Sequence, residues 1–312
     1  MAKTKDIKRR IKSITSTKRI TRAMEMVEAS KMRKAVEAVL ATRTYANLAW
    51  ETLLNVARAS ANKISHPLLE VRPDVKRQAL ILIAANRGLC GGFNTAIIAE
   101  ARRAVKGLED VTDLIILGRK GESLSAVLHV SAQFVKEETA VNSTSVAPIA
   151  KLVIDGYIDK TYDRVLVAYT DFVNAAKQSP RVKQILPVLT SATDGSLGII
   201  GGDGKVGVSQ EYVAGKSQAH LQAAGSTLEY LFEPNPQSVL DEVLPRLISI
   251  QLYQALLEST ASEHSARMAA MHQATKAASD LVDELTLFYN KARQAAITAE
   301  IAEITAGVAA FE

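Results

Sequence analysis

Two runs of residues have types and spacing that suit chemistry. Arg87-Gly88-Leu89-Cys90-Gly91-Gly92-Phe93-Asn94 follows an apolar run and opens a helix pattern. A Gly-rich turn at a helix N-terminus can hold phosphate through its backbone N–H groups. However, the G-x-G-x-x-G spacing and the Lys-Ser/Thr of a phosphate loop are both absent. Gly88-Leu89-Cys90-Gly91-Gly92 also has the spacing of a nucleophile elbow, with Cys in place of Ser. Asp171 and His220 would complete a triad in the chain order of a hydrolase. The simpler alternative is a tight strand-to-helix turn with a small buried thiol. The five histidines, His66, His129, His220, His264 and His272, show no metal-ligand spacing. No catalytic residue, cofactor or metal is therefore expected.

The elements that would position such residues are unusual. Residues 1–66 contain neither Gly nor Pro, and neither do residues 246–306. These residues cost about 1 and 3 kcal/mol in a helix interior, so their absence permits long uninterrupted helices. A helix over 246–306 would be roughly 90 Å long. A compact domain of this size has a radius of gyration of only about 20 Å. The two ends are thus expected to pair, antiparallel, as a coiled coil. Ile7, Ile11, Ile14, Met24, Val27, Leu40, Leu48 and Leu54 keep rough three-four spacing over 3–58. Leu244, Leu247, Ile248, Leu252, Leu256, Met268, Met271, Leu281, Leu285 and Phe288 form the facing stripe. Ala266, Ala269, Ala270, Ala274, Ala277 and Ala278 leave room for close approach of the other helix.

Between the ends, Gln78–Ala85, Thr112–Gly118 and Arg164–Thr170 are short apolar runs alternating with helix patterns, one of them near Val146–Ile158. Such alternation predicts a Rossmann-like, mostly parallel α/β sheet. Val182–Leu189 is expected as an edge strand, because Pro187 cannot donate to a ladder. Residues 191–225 hold eight of the sixteen glycines and are expected to be a flexible insertion. The organisation is therefore a coiled-coil helix at 1–66, an α/β domain at 67–190, the insertion at 191–225, and a second coiled-coil helix at 226–312, with Pro234, Pro236 and Pro245 framing its start.

Charge is unevenly placed. Residues 1–34 hold twelve Lys and Arg against Asp6, Glu25 and Glu28, whereas Glu300, Glu303 and Glu312 lie beyond the last basic residue, Arg293. A basic arm is compatible with nucleic acid or acidic lipid, although no aromatic residue precedes Tyr45. A basic-arm coiled-coil nucleic-acid binder therefore stays open, as does a Cys90 hydrolase. The single cysteine excludes an internal disulfide. No run approaches the 18 or more apolar residues of a membrane span. No targeting peptide is expected either, since the N-terminal Lys and Arg run straight into helix pattern.

Three motifs carry a resemblance. Ile20-Thr21-Arg22-Ala23-Met24-Glu25-Met26-Val27-Glu28-Ala29-Ser30-Lys31-Met32-Arg33 resembles the N-terminal helix motif of the F-type ATP synthase gamma subunit. Arg87–Asn94 resembles that family's central turn. Ser262–Met271 and Tyr289–Ile301 resemble its C-terminal helix. The resemblance spans the chain apart from the insertion. It implies a non-catalytic central rotor shaft, its coiled coil set inside three alpha and three beta subunits and its globular part against the epsilon subunit and the c-ring. It implies coupling of rotation to ATP synthesis, regulation of ATPase activity and proton flow, no nucleic acid, and a peripheral place on the cytoplasmic side of a bacterial cell membrane. By position, Met24, Arg267, Gln294 and Thr298 would meet the beta subunits, and Ile297, Ile301, Ile304, Val308 and Phe311 would turn as a tip in an apolar bearing. Two features depart from the pattern. Glu28 stands where a small residue such as Ala is expected, and the insertion lacks the thiol pair of chloroplast members.

Overall fold

The computed structural model describes residues 2–59, 66–137, 142–188 and 236–309; the side chains of 2–3, 43–59, 236 and 307–309 also lie outside the description. The insertion at 191–225, with His220, and Phe311 fall outside the described residues, as does the side chain of Val308.

Two helices dominate. α1 runs Ala2–Ala59 and matches the breaker-free N-terminal span. The C-terminal helix, α4, runs Pro236–Ala309, starting ten residues before the breaker-free span because Pro245 lies inside it. A helical proline removes one backbone hydrogen bond and costs about 3 kcal/mol. The turns around it offset that cost: Leu240, Leu244, Leu247 and Ile248 are all buried in one core, each contributing roughly 1.5–3 kcal/mol.

In chain order, the segment between the long helices forms a five-stranded sheet: β1 (Gln78–Ile83), β2 (Thr112–Leu117), β3 (His129–Phe134), β4 (Arg164–Phe172) and β5 (Gln178–Leu186). The spatial order is β3-β2-β1-β4-β5. β1, β2, β3 and β4 run parallel, and β5 returns antiparallel beside β4. The central strands are buried on both faces, which explains their continuous apolar runs. On one face Ile81, Ile83, Val165 and Val167 pack with α3 (Ala147–Ile158) and the first turns of α4. On the other, Leu80, Leu82, Leu114 and Ile116 pack with Ile97 and Ala101 of α2 (Phe93–Ala104). This is the expected α/β layering.

Two details differ from the sequence expectation. The segment after β2 is a 3-10 turn, Arg119–Ala126, followed by the strand β3. β3 has no apolar run like its neighbours because it is an edge strand: Val130, Ala132 and Phe134 alternate with more exposed residues. The other edge is formed by β5 as expected, but it spans Gln178–Leu186 and contains Pro180, while Pro187 lies just beyond it. Gly118, at the end of β2, has φ +102°, and a Cβ there would strike the backbone of Ala84.

By compactness the chain divides into Met1–Ala29 with Arg267–Glu312, and Ser30–Ala266. The first unit is a helix pair. Lys18 Nζ donates to Ser279 Oγ at 2.9 Å, Thr275 Oγ1 to Thr21 Oγ1 at 2.8 Å, and Arg267 Nη1 to Glu28 Oε2 at 3.3 Å; His272 Nδ1 lies 2.9 Å from Glu25 Oε1. Residue numbers rise on α4 as they fall on α1, so the pair is antiparallel. The sheltered positions of α1 include Thr4, Ile7, Ile11, Ile14, Lys18, Thr21, Glu25 and Glu28. Those of α4 include Met268, Met271, Thr275, Ala278, Val282, Leu285, Tyr289, Ala292 and Ala296. Both sets alternate steps of three and four, the seven-residue repeat of a left-handed coiled coil.

Candidate partner interface

The seven-residue register separates the apolar residues into two groups. Ile7, Ile11 and Ile14 belong to the seam. Met24 and Val27, expected there, each fall one position short of it and stand 42% and 52% exposed. Leu281 and Phe288 of α4 likewise face outward. Their places in the middle of the seam go to Lys18, Thr21, Glu25 and Glu28, paired with polar groups of α4. The small-residue stripe splits the same way: Ala278 is buried, and Ala269 and Ala277 are exposed. Around Lys18–Glu28 the pair thus shelters polar groups of α1 and leaves Met24 and Val27 exposed, the reverse of the usual pattern for an isolated coil in water. Met24 and Val27 share one stripe of α1 with Ile20, which is 56% exposed, at i, i+4 and i+7, and such a stripe suits an interaction face.

The resemblance grouped Met24, Arg267, Gln294 and Thr298. The structure places Met24 on the exposed face. Arg267 is held across the pair by Glu28, each side chain 11% exposed. Gln294 and Thr298 are exposed neighbours one turn apart, with the Thr298 hydroxyl donating to the Gln294 carbonyl at 3.0 Å. Twenty-seven helical positions separate Arg267 from Gln294, roughly 40 Å. These residues therefore occupy two separate levels of the pair. Continuing the antiparallel register, α1 runs out near Ala296, and α4 goes on without it. Ile297, Ile301 and Ile304 lie on that continuation at i, i+4 and i+7, 48%, 60% and 65% exposed.

The Gly-rich turn has a structural job. Asn94 Oδ1 accepts from the Ala85 N–H at 3.0 Å, and Asn94 Nδ2 donates to Cys90 Sγ at 3.1 Å. The thiol is buried. Leu89 and Gly91 take positive φ, so the chain turns sharply from β1 into α2. Asp171 faces Arg181, with Nε 3.0 Å from Oδ2. The crest of the sheet, where open α/β sheets take ligands, is occupied by α4: Ala266 packs on Ala85, Cys90 and Phe93, and the Ser262 hydroxyl donates to the Thr170 carbonyl at 3.1 Å. Neither the phosphate cradle nor the thiol nucleophile finds support in this arrangement.

Of the histidines, His264 is buried and His272 is exposed beside Glu25. His129 lies 3.1 Å from Asp113. Among the described residues no group of three or more His, Cys, Asp or Glu is arranged to hold a metal ion. No helix among them is long and apolar enough to cross a membrane. The polar seam and the buried Lys136–Glu263 pair, 2.7 Å apart, were missed from the sequence. The strict three-four spacing from Thr4 to Glu28 was the available signal for the seam; none announced Lys136.

An antiparallel helix pair with exposed apolar residues outside its seam, in one chain with an α/β domain, defines a class of interaction protein built on long helices. The sequence model described as ATP synthase matches residues 3–311. The ATP synthase gamma chain of Pelotomaculum thermopropionicum is 41% identical over 100% of both chains, and that of Heliobacterium modesticaldum is 39% identical over 98% of both. The chain belongs to the ATP synthase gamma chain family. Among solved structures, a chain of the Tetrahymena thermophila mitochondrial ATP synthase central stalk and c-ring matches with TM-score 0.57 and 25% identity, covering 82% of this chain and 99% of that one. A chain of the Euglena gracilis mitochondrial enzyme matches in fold with TM-score 0.65 at 19% identity, over 99% and 95% of the two chains.

Proposed function

We propose that this chain is the central rotor shaft of a proton-translocating F-type ATP synthase. The observation that carries this reading is the apolar face outside the coiled-coil seam, which needs a sleeve to cover it. Three alpha and three beta subunits supply that sleeve around the helix pair, and the epsilon subunit and c-ring meet the α/β domain. The shaft does no chemistry itself. Its asymmetric surface drives each beta subunit through its conformations in turn, coupling proton flow to ATP synthesis and restraining ATPase activity. Met24, Arg267, Gln294 and Thr298 face the beta subunits at their two levels. Ile297, Ile301 and Ile304, continued by Val308 and Phe311, form the bearing tip, where unpaired charge would be costly. The complex sits peripherally on the cytoplasmic side of a bacterial cell membrane. No observation favours the basic-arm nucleic-acid binder.

Native mass spectrometry of a tagged copy drawn from its host membranes tests the reading. The expected species holds one copy of this chain with three pairs of larger nucleotide-binding subunits. A lone chain, or one carrying nucleic acid, overturns it.

A further inference from the structure

The crest of the sheet grips α4 by polar contacts from several strands. Lys136, just after β3, places Nζ 2.7 Å from Glu263 Oε2, with side chains only 2% and 8% exposed. The Lys136 carbonyl accepts from Asn86 Nδ2 at 2.6 Å, which ties it to the exit of β1. On the adjoining strands, Ser262 donates to the Thr170 carbonyl of β4, and Ser265 donates to the Ala175 carbonyl at 2.7 Å in the β4–β5 turn. Gln178 Nε2 of β5 donates in turn to Ser265 Oγ at 3.3 Å. Below this collar α4 is held chiefly by apolar contacts, through Leu240, Leu244, Leu247, Ile248 and Leu252, with His66 Nε2 3.2 Å from Asp241 at the start of the helix.

These two kinds of grip respond differently to torque. Apolar burial is non-directional and tolerates small rotations of a helix in its socket. A short charge-assisted bond away from water does not, because each helical position turns the side chain by about 100° and a slip strands two buried charges. Hydroxyl-to-carbonyl bonds are weaker and more forgiving.

We infer that Lys136 and Glu263 are positioning residues that fix the rotational register of α4 in the α/β domain, so that torque entering the domain passes into the long helix without slippage. This rests on the shaft reading. The site that open α/β sheets use for a ligand has here become a socket for the chain's own helix, keyed by the buried Lys136–Glu263 pair.

The test is the double variant Lys136→Met with Glu263→Met, which replaces both charges by apolar side chains of similar size, a change that buried pairs tolerate. In membrane vesicles holding the complete complex, ATP hydrolysis is expected to continue at the wild-type rate, while protons pumped per ATP fall several-fold. In the full-length chain, amide hydrogen exchange over Leu257–Ala266 is expected to accelerate several-fold. Wild-type pumping with unchanged exchange overturns the proposal. Unfolding of the double variant also overturns it, since the pair would then serve folding and not register. If complexes with the unaltered chain fail to pump, the shaft reading fails instead, and exchange on the chain alone still decides the clamp.

Discussion

Glu28 and Arg267 form an ion pair across the antiparallel helices, Oε2 to Nη1 at 3.3 Å, with both side chains largely withdrawn from water. Glu28 was the odd residue of its motif, standing where a small side chain is expected. The structure gives it a role: it draws Arg267 to the seam of the pair. A double-mutant cycle of Glu28→Ala and Arg267→Ala, read by denaturant unfolding, is expected to give a coupling energy of about 1 kcal/mol or more. Additive effects of the two substitutions would show that the contact contributes nothing.

Met24 stands outside the seam, so Met24→Lys places its charge in water in the isolated chain. Its unfolding free energy is expected to change by no more than about 0.5 kcal/mol. In the assembled complex the same cation enters the sleeve and adds charge contacts to be broken on each turn. ATP-driven proton pumping should therefore drop with assembly intact. Equal losses of assembly and pumping would refute this.

His66 gives the fold a pH dependence. Its Nδ1 accepts from the Leu68 N–H at 3.1 Å, and its Nε2 lies 3.2 Å from Asp241 at the start of α4. Burial holds its pKa below the ordinary 6.5, against the opposing pull of Asp241. The unfolded chain takes up this proton near pH 6.5, and the folded chain only at lower pH. The stabilisation from neutral His66 is thus complete above pH 6.5, is lost as the pH falls towards the lowered folded value, and changes no further below it. Melting temperature against pH, compared between wild type and His66→Gln, should show a smaller acid-side decline in the variant.

Gly118 cannot accept a side chain. Its positive φ disfavours any Cβ, and that atom would press into the Ala84 carbonyl oxygen. Neither backbone segment can retreat, because the Ala84 N–H donates to the Leu117 carbonyl and the Gly118 N–H to Phe134. Gly118→Ala is expected to destabilise the α/β domain by about 2 kcal/mol or more, measured by urea unfolding. Gly88→Ala, where the space is open, serves as the control and should be nearly neutral.

The sequence by itself determined the features that local chemistry controls. The absence of Gly and Pro allowed two long helices, apolar runs marked the buried central strands, and three motifs pointed to the family. Tertiary structure decided what depends on a neighbour. Spacing in α1 fits more than one stripe, and only the facing helix selects Thr21, Glu25 and Glu28 over Met24 and Val27 for the seam. Pro245 reads as a boundary, yet burial of the turns around it carries the helix through. β3 has little apolar content because one of its edges has no neighbouring strand. Lys136 and Glu263 lie 127 residues apart, and nothing local marks either as half of a buried pair until the sheet and α4 meet.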